Sequence, residues 1–148
     1  MTATTRNLLH HCSQHLAHLL PGSLCAPLSM ARQELHKNLH LAFRLASTQQ
    51  RAVVLQPSTT QAEAGLSLIL PAGVRWGRPN TVPLPPSLAD SGWRGGKPRP
   101  ITVMPHRRAT ANVWFLHHGR EAICLRLALS GTVEMLRYRP VLGAWTPC

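Results

Sequence analysis

The chain has 148 residues, which is enough for one domain with a hydrophobic core, and 44% of them are hydrophobic. Its 16 Lys and Arg outnumber its 5 Asp and Glu, which gives a formal net charge of +11 at pH 7. This balance favours anionic partners, and the few scattered acidic residues argue against paired-carboxylate catalysis and carboxylate-rich Mg²⁺ or Ca²⁺ sites. No apolar run approaches the roughly 18 to 20 residues of a membrane span, so none is predicted.

Two helices are predicted in the first third of the chain. Apolar residues recur at helical spacing from Arg6 to Leu20, and Pro21-Gly22 ends that helix. A second apolar stripe predicts a helix from about Leu28 to Ala46, with Ser29 as a candidate N-cap. The short connection between the two predicts an antiparallel helix pair.

Short β-prone runs follow the helices. One extends from Arg51 to Leu55, and the runs Leu66–Leu70 and Val74–Trp76 are predicted to form a hairpin that joins a C-terminal sheet. Residues 77–105 are rich in proline and glycine, which predicts an irregular loop or linker. Within it, Ile101–Met104 is predicted to be an edge strand.

A tryptophan lies among cations inside this loop, in the group Trp93, Arg94, Lys97 and Arg99. An exposed tryptophan among cations is typical of a segment that stacks on bases and holds phosphate. The alternative is that Trp93 packs on the domain and tethers a solvated loop.

The most regular stretch, Asn112 to Tyr138, predicts a three-stranded antiparallel meander with turns at His118-Gly119 and Ser130-Gly131. Side chains alternate across a strand, so a two-residue second turn gives one face of Ile, Leu and Tyr. The opposite face then carries three arginines, namely Arg126, Arg137 and Arg139. It is either a solvated face or a basic surface for phosphates.

The length of the first turn decides which aromatic side chain joins the arginines. A two-residue turn places Phe115 on that face, and a three-residue turn places Trp114 there. Together the elements predict an α+β fold, with two N-terminal helices packed on a three- to five-stranded antiparallel sheet that ends in the β-meander. We expect one small basic domain over residues 1–148, with the irregular segment 77–105 inside it.

The nine histidines of the chain suggest a metal site. His11, His15 and His18 have helical spacing, as do His36 and His40, and such spacing lets neighbouring imidazoles share a metal ion. However, no H-E-x-x-H pattern accompanies them, and no carboxylate is near enough in sequence to orient them. We therefore expect no stoichiometric metal and no cofactor.

The cysteines, Cys12, Cys25, Cys124 and Cys148, form no C-x-x-C pair. Because no convincing secretion signal precedes them, they are expected to be free thiols in the reducing cytoplasm. A mitochondrial presequence is the alternative, since the N-terminal segment lacks acidic residues. The chain has no nucleophile motif, Walker loop or dinucleotide fingerprint, so an enzyme is not favoured.

The sequence therefore favours a small basic nucleic-acid-binding protein, for RNA or DNA, that uses arginine–phosphate contacts and aromatic stacking. Three alternatives stay open. They are a non-catalytic accessory factor that docks on an acidic protein surface through its basic surface and proline-rich loop, a histidine-based metal protein or enzyme, and a GC-rich open reading frame without a selected function. The predicted nucleic-acid contacts are Arg107, Arg108, Arg120, Arg126, Arg137, Arg139, Trp93, Arg94, Lys97 and Arg99.

Overall fold

The computed structural model describes residues 24–57, 66–91 and 97–148, which form an α+β fold. One long helix, α1 (Ala26–Gln49), confirms the second predicted helix and packs against two sheets. The first predicted helix, Arg6 to Leu20, lies outside the described residues. The described part of the chain thus has one long helix where two were predicted, plus the short helix α2 (Pro86–Asp90). Neither described helix combines the length and apolarity needed to cross a membrane.

The ends of α1 follow from local sequence. Cys25, and not the predicted Ser29, is the N-cap, and Pro27 lies in the first turn, where its missing N–H removes no helical hydrogen bond. The helix ends where Gln50 adopts a left-handed backbone with a φ of 51°, and the N–H of Gln50 donates to the Ala46 carbonyl. The buried stripe has the predicted spacing and consists of Leu28, Ala31, Leu35, Leu39, Ala42, Phe43 and Ala46.

The strands divide into two sheets. The first contains Val53–Gln56 (β1), Leu66–Ser67 (β2), Ile101–Met104 (β4) and Arg108–Ala109 (β5), and a 3-10 turn, Pro105–Arg107, joins its last two strands. The second contains Arg75–Trp76 (β3), Asn112–His118 (β6), Glu121–Leu127 (β7), Val133–Arg139 (β8) and Ala144–Pro147 (β9). The strand orders are β2-β1-β4-β5 and β3-β6-β7-β8-β9, and every pair except β1 with β2 is antiparallel.

Two predictions about the early strands are wrong. The runs at 66–70 and 74–76 do not form a hairpin, because β2 joins β1 in the first sheet whereas β3 joins β6 in the second. The strand at Ile101–Met104 exists, but it is not an edge strand, because β4 lies between β1 and β5. Its Ile101 and Val103 side chains are fully buried in the core.

The C-terminal meander is confirmed as β6, β7 and β8. Its first turn has two residues, as predicted, but they are Gly119 and Arg120, because His118 pairs with Glu121. The turn is therefore one residue later in the chain than predicted. Phe115 still shares a face with Arg126, as the two-residue turn requires.

The predicted length of the second turn of the meander is wrong. Leu127 pairs with Val133, so residues 128–132 form a five-residue connection in place of the predicted two-residue turn at Ser130-Gly131. Within it, Gly131 has a φ of +80° and lies against the Arg107 backbone, where an added Cβ would be 2.1 Å from the carbonyl oxygen. The connection thus packs on the turn that precedes β5.

The longer connection changes the pairing of β8 by one residue, and such a shift moves every side chain of a strand to the other face. Arg137 is therefore opposite Ile123, and Leu136 is opposite Cys124. The predicted face that combines Arg126 with Arg137 and Arg139 does not exist. Arg126 lies on one side of the second sheet, and Arg137 and Arg139 lie on the other.

The two faces of the second sheet meet different partners. The inner face contacts α1 and the first sheet and forms the main core, which includes Trp114, Leu116 and Leu125. The outer face is covered by part of the proline-rich segment, from which Val82 and Leu88 are buried against it. Proline-rich sequence thus supplies a packed layer despite its irregular backbone.

Candidate anion-binding surface

Basic side chains follow one flank of α1. Arg32, His36, His40 and Arg44 succeed one another at intervals of four residues, and Lys37 lies beside them; we call these five residues the basic ridge. Arg32 is half-buried and the other four are exposed. At about 1.5 Å per residue, the row is roughly 18 Å long. Glu34, the one acidic residue of α1, comes three residues before Lys37, so the helical repeat places it next to the Lys37 edge of the ridge.

A pocket of about 370 Å³ lies between the ridge and the second sheet, and it is lined by Arg32, Gln33, His36, Lys37, Met135 and Cys148. Two of these residues come from the sheet, where the Cys148 N–H donates to the Met135 carbonyl oxygen at 3.1 Å. Partial burial raises the pKa of the Cys148 thiol, and the nearby guanidinium groups of Arg32 and Arg137 act against that rise.

Two residues along β8 from Met135, Arg137 pairs with Thr146 of β9. Alternation places this pair on the same inner face as Met135 and Cys148. The Nε of Arg137 and the Oγ1 of Thr146 are both buried, and neither has a hydrogen-bond partner in the described part of the chain. Leaving a buried polar group without a partner costs about 1–3 kcal/mol. An N–H donor and a hydroxyl of the second sheet are thus buried and unpaired, and neither residue is among those that line the pocket.

The other described acidic residues lie away from this pocket. Glu134 is on the outer face, where its carboxylate is 3.7 Å from Nη1 of Arg126. Asp90 ends α2, which covers the same outer face. Glu121 accepts the backbone N–H of Cys25 at 3.0 Å near the start of α1. None of these three side-chain carboxylates therefore lines the pocket.

Arg126 differs from Arg137 in having partners. Its Nη1 donates to Ser87 Oγ at 2.6 Å, in addition to its ion pair with Glu134. The side chain of Arg126 is 31% exposed and so remains in contact with solvent. Part of its hydrogen-bonding capacity is thus already used within the protein.

Two of the predicted nucleic-acid contacts, Arg107 and Arg108, lie near the C-terminal half of the ridge. The guanidinium of Arg107 is 5.2 Å from the ring centroid of Phe43, a cation–π contact beside Arg44. Arg108 is exposed on β5, an edge strand. Arg107 thus adds a positive charge beside the C-terminal half of α1.

The remaining predicted contacts are dispersed. Arg120 is exposed in the β6–β7 turn, and Arg139 is half-buried at the end of β8. Lys97 and Arg99 are exposed on the segment that leads to β4. Trp93 and Arg94 lie outside the described residues. The structure therefore does not gather all the predicted contacts into one patch.

The aromatic residues of the meander are not available for stacking. Trp114 is 1% exposed and Phe115 is 5% exposed, so neither ring can meet a base. The Nε1 of Trp114 donates to the Arg99 carbonyl at 2.7 Å, which satisfies its polar atom in the core. Stacking by Trp93 stays a prediction.

A thiol, an imidazole and a carboxylate meet at the start of α1. Cys25 Sγ is 3.5 Å from His118 Nδ1, and the Cys25 N–H donates to Glu121. Burial, assisted by a hydrogen bond with Glu121, raises the pKa of the Cys25 thiol to about 12. A protonated and buried thiol is a poor nucleophile, so this cluster anchors the helix to the β6–β7 turn.

No metal site is evident within residues 24–57, 66–91 and 97–148, where no three His, Cys, Asp or Glu side chains are grouped to hold an ion. His36 and His40 belong to the basic ridge. The other histidines with helical spacing, His11, His15 and His18, lie outside the described residues.

Sequence analysis missed the pocket. The interval of four from Arg32 to Arg44 was visible in the sequence and could have revealed the ridge. By contrast, the pairing of Arg137 with Thr146 depends on the register of β8 and β9, for which no local signal exists. The contact of Cys25 with His118 joins residues 93 positions apart and had no signal either.

No protein-family model, curated protein or solved structure matches this chain. A function must therefore be inferred from the charges, donors and cavities of the chain itself.

Proposed function

We propose that the protein binds the phosphate backbone of nucleic acid along the basic ridge and the adjoining inner face of the second sheet. The observation that carries this proposal is the segregation of charge. The ridge, Arg107 and Arg137 lie on one side, where Glu34 is the one carboxylate side chain beside the ridge among the described residues. Glu121 lies at the start of α1, and Asp90 and Glu134 lie on the outer face. Arginine forms forked hydrogen bonds with phosphate oxygens, and such contacts need no particular base sequence.

The length of the ridge suits an extended polyanion. Its basic residues follow one another at steps of about 6 Å along the helix axis, which is comparable to the separation of successive phosphates in a strand. Arg107 adds a cation beside the C-terminal half of the ridge, where it contacts Phe43. Several phosphates of one strand can therefore be contacted at once, and RNA and DNA both supply them.

The experiment is fluorescence anisotropy with single-stranded and duplex oligonucleotides over a series of salt concentrations. Affinity should fall with salt, with a log–log slope of about −0.7 per phosphate contacted on a single strand or −0.9 on a duplex. The double variant Lys37→Gln/Arg44→Gln removes two exposed ridge charges, so its slope should be shallower by about two contacts.

The matched control is Arg51→Gln/Arg75→Gln, which removes the same charge from two exposed positions away from the ridge. Its salt slope should stay close to that of the unmodified protein. Equal losses in the two double variants would indicate generic attraction and contradict the ridge. No binding at near-physiological salt would reject the proposal and favour docking of the same basic surface on an acidic partner protein.

A further inference from the structure

We infer that the tip of the hairpin between β8 and β9 inserts into the surface of an anionic lipid membrane. The tip consists of Pro140, Val141, Leu142 and Gly143, which connect the two strands. This inference goes beyond the nucleic-acid binding proposed above and does not depend on it. Three observations carry it, namely two exposed aliphatic side chains, the ordered turn that presents them, and the arginines at the same end of the sheet.

The tip presents apolar surface to solvent. Val141 is 96% exposed, the highest value for a large hydrophobic side chain among the described residues, and its neighbour Leu142 is 57% exposed. Single exposed aliphatic residues are ordinary on protein surfaces, but these two are adjacent and form the crest of a turn. Turns are usually rich in polar residues, proline and glycine. An aliphatic pair at this place therefore indicates an interaction surface.

The backbone of the tip is ordered by hydrogen bonds. The N–H groups of Leu142 and Gly143 donate to the Arg139 carbonyl at 3.0 and 2.8 Å, which closes a single helical turn. Pro140 restricts the backbone where the turn begins, and Gly143 ends the turn with a φ of +62°. Because the turn is already formed, burying its side chains in a partner costs little further conformational entropy.

The strands beneath the tip are anchored to the rest of the protein. The ring of Trp145 lies 5.6 Å from that of Tyr138, between centroids, and its Nε1 donates to the Pro83 carbonyl at 2.8 Å. The indole N–H is thus satisfied within the protein. The hairpin therefore presents its tip from a fixed base on the outer face.

Arginines lie at the same end of the second sheet as the tip. Because β6 to β9 are consecutive antiparallel strands, the β6–β7 turn with its exposed Arg120 projects from that end too. Arg139 is half-buried at the base of the tip. On the outer face, the exposed Arg78 donates to the carbonyl of Val82, which lies in one cluster with Tyr138. Three cations therefore accompany the apolar tip.

An apolar tip beside arginines matches the two layers of a membrane surface. Aliphatic side chains are stabilised in the acyl layer, whereas arginines bind lipid phosphates and are attracted by anionic headgroups. Of the four described acidic side chains, only Glu121 lies at this end, and its carboxylate accepts the N–H of Cys25. The combination thus favours an anionic membrane over the hydrated phosphate backbone of a nucleic acid.

The test measures sedimentation of the whole chain with vesicles of phosphatidylcholine, either alone or mixed with phosphatidylserine. The unmodified protein should prefer the mixed vesicles, by about fivefold in affinity for each arginine near the surface. Val141→Ser/Leu142→Ser should weaken binding to the mixed vesicles at least about tenfold, because it removes two aliphatic side chains from the acyl layer. The matched control is Leu129→Ser, which changes a 68% exposed aliphatic residue at the opposite end of the sheet and should keep the binding.

A second readout separates insertion from attraction by charge. An environment-sensitive fluorophore is attached through Val141→Cys or, as the control, Leu129→Cys, in a background with Cys12→Ser and Cys148→Ser that leaves buried cysteines. When mixed vesicles are added, the emission of the probe at position 141 should move to shorter wavelength. The probe at position 129 should keep its emission in water.

Several results would overturn the inference. They are absence of vesicle binding, binding that survives Val141→Ser/Leu142→Ser, and a probe at position 141 that stays in water. Oligonucleotide binding by the same tip variant should be unchanged, so failure of this inference is distinguishable from failure of the proposed function. Loss of oligonucleotide binding in the tip variant, without vesicle binding by the unmodified protein, would overturn the inference and assign the tip to nucleic acid.

Discussion

Arg126 and Arg137 are eleven positions apart in the same meander, yet the second sheet gives them opposite surroundings. On the outer face, Arg126 contacts Ser87 and Glu134, so its charge is balanced within the protein. On the inner face, the Nε of Arg137 is buried and has no hydrogen-bond partner within residues 24–57, 66–91 and 97–148. The comparison teaches that an arginine is available to a ligand because of what surrounds it, and not because it is near other arginines in sequence.

The first way to sharpen this comparison is to make the same substitution on each face. Leu125→Ala removes a fully buried inner-face side chain and should lower the free energy of unfolding by about 2–5 kcal/mol. Leu136→Ala, which truncates a half-buried side chain of the outer face, should cost distinctly less. Urea denaturation followed by circular dichroism measures both. Equal losses, or a larger loss for Leu136→Ala, would contradict the assignment of faces.

The second prediction concerns the connection that sets the register of β8. Gly131→Ala should lower the free energy of unfolding by roughly 2–4 kcal/mol, because its Cβ would overlap the Arg107 carbonyl and its φ is positive. The control is Gly119→Ala, whose φ is +59° but whose Cβ would meet nothing within 4 Å, so only about 1–2 kcal/mol of backbone strain is expected. Similar losses for the two variants would argue against the close packing of the 128–132 connection.

The third prediction compares the alanine variants of Arg126 and Arg137 in stability and in nucleic-acid binding. Arg126→Ala should lower the free energy of unfolding by about 0.2–1 kcal/mol, since its ion pair is exposed, and should leave the salt slope of nucleic-acid binding almost unchanged. Arg137→Ala should make that slope shallower by roughly one phosphate contact. Chemical denaturation and salt-series anisotropy on the same preparations measure these effects. A shallower slope in Arg126→Ala alone would reverse the assignment of the binding face.

The smallest effect is expected in thiol labelling at pH 8, in a Cys12→Ser background. Burial raises the pKa of Cys124 to about 12, so at pH 8 very little of it is the reactive thiolate, and the side chain is also inaccessible. The pKa of Cys148 is raised as well, but the residue is exposed at the pocket. Mass spectrometry of the folded protein should find Cys148 modified first. Faster labelling of Cys124 would show that the outer face is more open than the structure indicates.

Local patterns predicted much of the fold. The apolar stripe from Leu28 to Ala46 identified α1, and the alternation after Asn112 identified the meander, because both patterns reflect side chains that face a core. The proline-rich segment gave no such pattern, since Val82 packs from irregular backbone and Leu88 from the short helix α2 against a sheet formed later in the chain. The proline-rich segment covers the outer face through contacts between residues that are far apart in sequence.

The wrong prediction of an arginine face that combines Arg126 with Arg137 arose from a single turn. Ser130-Gly131 has the composition of a two-residue hairpin turn, but Gly131 is required there because of its close approach to Arg107. The sequence pattern cannot distinguish these two uses of glycine. Because the difference is one residue, every side chain of β8 was assigned to the wrong face, and Arg137 was grouped with Arg126 instead of with the ridge.

The most direct test of the contrast between the two faces is to observe the guanidinium groups themselves while nucleic acid is added. In ¹⁵N-labelled protein, the Nε–Hε resonances of Arg126 and Arg137 are assigned by comparison with the corresponding lysine variants and then followed by NMR during titration with an oligonucleotide. We expect the Arg137 signal to shift progressively and saturate, because its surroundings change when a strand binds the adjoining basic ridge, while the Arg126 signal stays in place. A shift of Arg126 without a shift of Arg137, or equal shifts of both, would contradict the binding face proposed for this protein.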